Sequence, residues 1–168
     1  GTPPHARVHT ASPGNVEPRV DTLAVTELNY HPYAPTADEL SHGDLTRDDF
    51  EFVELLNVSG GALDLSGLNF TDGIFFELPG ITLAPAQRLL LAKNPQAFQL
   101  RYGPIEEPLV VGPYEGVLDD EGERLTLIDQ ADEALLRFTY GDSHHWPERT
   151  KGLGSSLEIV DLAGFYND

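Results

Sequence analysis

The chain contains no cysteine and no methionine, and its 10 lysines and arginines face 28 aspartates and glutamates, a formal net charge of −18. The lack of cysteine excludes disulfides and cysteine-based zinc sites and leaves the compartment open. The scarcity of basic residues removes the usual source of nucleic-acid affinity, lysine and arginine neutralising phosphates. Those beyond position 20 (Arg47, Arg88, Lys93, Arg101, Arg124, Arg137, Arg149 and Lys151) form no run. Direct binding to DNA, RNA or an anionic membrane is therefore disfavoured. The acidity points instead to divalent cations or basic partners, or to solubility alone. Long apolar runs are missing too: "RLLLA" at 88–92 is the longest concentrated stretch, far short of a membrane-spanning helix. A chain that begins at Gly1 and holds no methionine is expected to be a piece of a longer protein, in which a signal peptide would not be visible.

What is present fits one globular domain. The 168 residues are 40% hydrophobic, and a chain of this size buries roughly 70% of its unfolded surface. Positions 1–20 hold four prolines and no hydrophobic periodicity, and read as a linker or disordered tail before a domain over 21–168. "LAVTELN" at 23–29 alternates as a strand, with Leu23, Val25, Glu27 and Asn29 on one face. A long polar connection over 31–49 follows, then a strand at about 50–58. "LDLSGLNFT" reads as a strand bent or bulged near Gly67. "IFFELPGITL" leads to a turn at "APAQ", where Pro85 fixes φ.

"RLLLAKN" is apolar on both faces and so a central strand. After it, Asn94 as cap, Pro95 at the first helical position and Gly103 as terminator define one short helix near 95–102. Phe98 and Tyr102 would share its buried stripe. An irregular proline-rich passage precedes a hairpin of "GERLTLID" and "EALLRFTY" around "QAD", and "SLEIVD" is the last candidate strand. Seven or eight short strands with one helix are the pattern of an all-β antiparallel sandwich.

"VTELNYHP", "FEFVELLNVSGGALDLSGLNF" and "LPGITLAPAQRLLLAKN", continued by "GERLTLID", "HHWPE" and "SLEIVD", together resemble the bacterial form of the lamin tail domain over roughly positions 23–162. The resemblance implies an immunoglobulin-like β-sandwich without an active site of its own. It also implies an accessory module of an exported or surface protein. Two departures stand out: Leu68 occupies a position where the family often has tryptophan, and the 31–49 connection is long.

Glu27 and Glu54 each fall on faces otherwise lined by leucine, valine and phenylalanine. A buried carboxylate needs hydrogen-bond donors, an arginine such as Arg88 or Arg124, or a cation, or it takes up a proton. The reading taken here is structural. The alternatives are a hard-cation site, calcium for example, with Asp48, Asp49 and Glu51 contributing oxygens, and an acidic pair in a hydrolase. "DDEGE" at 119–123 lacks the spacing of a calcium loop and reads as a solvated turn. Asp142, Ser143, His144, His145 and Trp146 crowd one loop, where triad members seldom converge. "GLGSS" matches neither a phosphate loop nor a nucleophile elbow. Asn57 and Asn69 open glycosylation tripeptides that lie at or within strand candidates. Tyr33, Tyr114 and Trp146 could line a sugar-stacking surface, but core packing is the reading taken for them.

The expectation is thus a non-catalytic interaction module of a larger exported bacterial protein, extracellular or in the cell envelope. Its partners would be proteins or neighbouring domains, without a cofactor, direct nucleic-acid contact or membrane insertion. A calcium- or carbohydrate-binding surface module and a hydrolase using Glu27 and Glu54 are the alternatives.

Overall fold

A computed structural model describes residues 15–16, 21–141 and 155–158. These form twelve strands: Asn15–Val16 (β1), Leu23–Asn29 (β2), Phe52–Asn57 (β3), Ala62–Asp64 (β4), Asn69–Asp72 (β5), Phe76–Glu77 (β6), Thr82–Leu83 (β7), Arg88–Ala92 (β8), Leu109–Val111 (β9), Arg124–Ile128 (β10), Ala134–Thr139 (β11) and Leu157–Glu158 (β12). The helices are Ala37–Leu40 (α1) and Pro95–Tyr102 (α2), and a 3-10 turn spans Asp48–Phe50.

The fold is an all-β sandwich. A five-stranded sheet in the order β12-β2-β3-β8-β9 faces a four-stranded one, β11-β10-β5-β6. A small sheet, β1-β4-β7, accompanies them. Between the layers, Val25, Val53, Leu55, Leu89 and Leu91 pack with Phe70, Leu125, Leu127 and Phe138, in one continuous core. Most pairings are antiparallel, while β8–β9 and β1–β4 run parallel.

α2 forms where expected. The Asn94 side chain accepts from the amides of Gln96 and Ala97, Pro95 opens the helix, and Gly103 at φ +80° ends it. Its inner side covers the outer face of the five-stranded sheet, where Phe98 packs with Phe52, Leu90 and Ala92. Tyr102 is 44% exposed rather than buried, although its ring lies 4.7 Å from that of Phe98.

Four expectations are corrected. The stretch 63–71 is not one bent strand: at Gly67, φ +74°, the chain leaves the small sheet and enters the four-stranded one. The proline-rich passage contains β9, which extends the five-stranded sheet through Leu89↔Leu109. Phe50 belongs to the 3-10 turn rather than the strand. Finally, a bulge between Val25 and Glu27 resets the alternation of β2. Leu23, Val25 and Leu28 therefore enter the core together, and Glu27 lies on the outer face.

The long 31–49 connection is tied down. Thr36 and Glu39 form a capping box on α1, and the guanidinium of Arg101 grips Glu39 at 2.8 and 3.0 Å. Of positions 1–20, Asn15 and Val16 pair with Ala62 and Leu63; the others lie outside the described residues. So does the loop with Asp142, Ser143, His144, His145 and Trp146. Among the described residues no helix is long and apolar enough to cross a membrane.

Candidate functional site

The outer face of the five-stranded sheet brings three carboxylates into one row. Cross-strand register places Glu158 opposite Glu27 and Glu27 opposite Glu54. Like charges at directly opposed positions repel, so each group depends on its other neighbours. Glu54, 8% exposed, accepts on one oxygen from the Thr26 hydroxyl at 2.6 Å and from Arg88 Nε at 3.0 Å. Thr26 reaches it because the bulge turns that residue out of the ladder. Glu27 accepts a hydrogen bond from the Ser156 hydroxyl. Burial raises the Glu27 pKa above the ordinary carboxylate value. The Ser156 bond works against that shift, and the charges of Glu54 and Glu158 add to it. Arg124, the other arginine considered for these glutamates, holds Asp72 instead.

The candidate calcium oxygens do not converge. Asp48 pairs with Arg47 at 3.3 Å. Asp49 closes the turn by accepting from the amide and hydroxyl of Thr46, and it also accepts from Asn94 Nδ2 at 3.0 Å. Glu51 points the other way, into the protein. Among the described residues no group of three or more histidines, aspartates or glutamates is placed to hold a metal ion.

Glu51 is the most unusual acid in the molecule. It is 1% exposed, and one of its oxygens accepts from the Tyr114 hydroxyl at 2.9 Å and the Leu118 amide at 3.0 Å. The other oxygen is buried without a partner. Burial pushes its pKa up to about 8, against the pull of those two bonds. Burial thus favours its protonated form, and the group latches the 114–118 loop to the base of β3. Read from residue type and spacing, Glu51 is only a candidate cation ligand. Its strand position could not show that its face meets Tyr114.

Other flagged residues are structural. Asn57 is fully buried; its amide nitrogen reaches the carbonyls of Gly61, Leu83 and Ala84, and its oxygen accepts from Ser59. A side chain so enclosed is closed to glycosylation in the folded protein. Tyr114 lies in the core. In the acidic turn, Asp120 pairs with Arg47 at 2.7 Å and with His31 at 3.3 Å. Tyr33 is 40% exposed and stacks under Arg101.

Among residues not singled out from the sequence, an open cleft of about 610 Å³ lies beside β5 and β6. Phe75 stands on it 55% exposed, and Glu77, Glu115 and Asp132 line it without a basic residue. A doubled phenylalanine followed by glutamate was the available signal, but it reads equally well as strand.

No model of a known protein family matches the chain, and no curated protein matches it either.

Proposed function

We propose that the chain is a non-catalytic interaction module, acting by contact with another protein or a neighbouring domain in a larger exported bacterial protein. The observation that carries this reading is how the acidic pair is spent. Glu54 is committed to Thr26 and Arg88, and Glu27 to Ser156. Both thereby fasten β2, β3, β8 and the 155–158 segment to one another, which is frame work rather than proton transfer. The resemblance of the strand motifs to the lamin tail domain supports the same reading, as does the net charge of −18. Fold alone does not give function, so the warrant lies in these contacts.

Two measurements test it. Photo-crosslinking from the exposed positions Tyr33, Phe75 and Leu109, in the cells that make the protein, should capture one reproducible protein or flanking domain. Turnover of glycosides, phosphate esters or peptides that is lost in both Glu27→Gln and Glu54→Gln would overturn the reading in favour of a hydrolase.

A further inference from the structure

We infer that the cleft beside β5 and β6 docks a basic, extended peptide segment that carries an apolar side chain between its cationic residues. The inference rests on the interaction-module reading and names the partner's chemistry. Its apolar component comes from Phe75, Phe76 and Ile128, which line the cleft. Phe75 is the most exposed large hydrophobic side chain among the described residues. The backbone bridge between Phe75 and Glu115, with N–H···O distances of 2.9 and 3.0 Å, fixes the wall that holds it.

The ionic component comes from Glu77, Glu115 and Asp132. None of the ion pairs among the described residues reaches these three. Five of the cations among the described residues are engaged away from the cleft. Arg47, Arg88, Arg101 and Arg124 each hold a carboxylate, and Lys93 is turned onto the carbonyls of Tyr114 and Gly116. No basic residue lines the cleft, so a cationic partner would complement its charge. A second copy of the chain would bring a net charge of −18 to an already acidic face, and like charges brought together oppose association. A cationic peptide supplies what both components lack. An apolar side chain covers Phe75, and flanking lysines or arginines meet the carboxylates, which steer the encounter.

Binding of a fluorescent peptide alternating lysine with leucine, measured at physiological salt, tests this. The counterpart peptide alternating glutamate with leucine is the first control. A protein this acidic attracts any polycation weakly, so the decisive comparison is between variants. Phe75→Ser, and separately Glu77→Gln with Glu115→Gln and Asp132→Asn, should each weaken binding by roughly tenfold. Asp44→Asn with Glu106→Gln and Glu121→Gln removes the same charge from exposed positions away from the cleft, and should change binding by less than about twofold. Equal losses in the two charge triples would overturn the inference, because attraction would then be diffuse. A dimer in sedimentation that Phe75→Ser dissolves would overturn it in favour of a second copy. Binding of neutral oligosaccharides lost in the same variant would overturn it in favour of a sugar. If crosslinking captures a partner whose contact is insensitive to Phe75→Ser, the cleft assignment falls while the interaction-module reading stands.

Discussion

Tyr114 and Glu51 meet inside the protein, phenol to carboxyl at 2.9 Å, with the Leu118 amide on the same oxygen and no partner for the other. Burial raises both pKa values and so favours the uncharged form of each group. Asp48 nearby raises the Glu51 value further, and the Lys93 charge lowers it without cancelling the burial.

The first prediction concerns pH. The folded-state value of Glu51, about 8, lies above its unfolded value of 4.5. Between those two values the native state keeps a proton that the unfolded state has lost. Stability therefore falls as pH rises through the window and levels off above it. At pH 9 the loss should be on the order of 5 kcal/mol, given that each tenfold difference in proton affinity is worth about 1.4 kcal/mol. Urea unfolding at pH 5.5, 7 and 9, values chosen to span roughly this window, should show the decline in wild type. Glu51→Gln should be nearly flat and more stable than wild type at the top of the range. A wild-type curve flat from pH 5.5 to 9 would mean that Glu51 is hydrated and ordinary.

Arg101 carries the second prediction. Its side chain is 3% exposed and clamps Glu39 with two hydrogen bonds. Its guanidinium lies 3.4 Å from the Phe50 ring and 4.0 Å from that of Tyr33, and it donates to the Tyr33 carbonyl. The Arg101 hydrogen bonds hold the Glu39 pKa down at about 2. Lysine cannot reproduce a planar fork that also stacks. Arg101→Lys should cost about 2–4 kcal/mol, since it leaves a buried carboxylate poorly paired. Limited proteolysis should then cut within 31–49 first. Because the folded Glu39 value is depressed, its contribution is present above pH 4.5 and lost as pH falls toward 2. A variant that keeps wild-type stability and protease resistance would show that the connection is anchored elsewhere.

Much of this architecture was legible in the sequence, and the failures share one cause. Asn94, Pro95 and Gly103 specify α2 by local chemistry alone. β8 announced itself by being apolar on both faces, since Leu89 and Leu91 feed the core while Leu90 and Ala92 feed the helix cluster. Nothing in "LAVTELN" marks Thr26 as an inserted residue, so alternation alone puts Glu27 on the wrong face. The bulge goes with the Thr26 bond to Glu54 across the sheet, a relation between positions 28 residues apart. β9 was missed because its pairing with β8 is parallel and crosses the whole of α2. Glu51 and the cleft were misread or unseen for the same reason: their neighbours come from distant parts of the chain.

Glu27 and Glu54 give the third prediction. Glu54→Ala strands the Thr26 hydroxyl and removes the partner of a half-exposed Arg88, and should cost about 1–3 kcal/mol. Glu54→Gln keeps an acceptor oxygen and relieves repulsion with Glu27 directly opposite, so it should cost less. Removing that negative charge must also lower the raised Glu27 pKa, to which Glu54 contributes. Carboxyl NMR titration of Glu27 in the Gln variant should show a downward shift. An unchanged titration would mean the two side chains diverge from their paired backbones.

The last prediction turns on two turns with left-handed backbones. Ala86 has φ +62° and follows Pro85 in a turn closed by the Gln87 amide on the Ala84 carbonyl at 3.0 Å. Proline second and positive φ third is a type II arrangement, for which glycine is preferred. A left-handed residue with a Cβ costs about 1–2 kcal/mol, and glycine returns roughly 0.5–1 kcal/mol of that through unfolded-state entropy. Ala86 is exposed, so no packing is lost on removing its methyl. Ala86→Gly should therefore stabilise by up to about 1 kcal/mol. Gly122 makes the opposite case at φ +106°, where a Cβ would lie 2.5 Å from the Tyr140 carbonyl oxygen and 2.4 Å from the Gly141 Cα. Backbone cannot yield there as a flexible side chain could, so Gly122→Ala should destabilise by about 2–4 kcal/mol. Thermal midpoints should move in opposite directions, upward for Ala86→Gly and downward for Gly122→Ala. A fall in the first would show that the 84–87 turn does not hold Ala86 left-handed, and would also loosen the Asn57 contacts to Ala84 and Ala86 that seat on it.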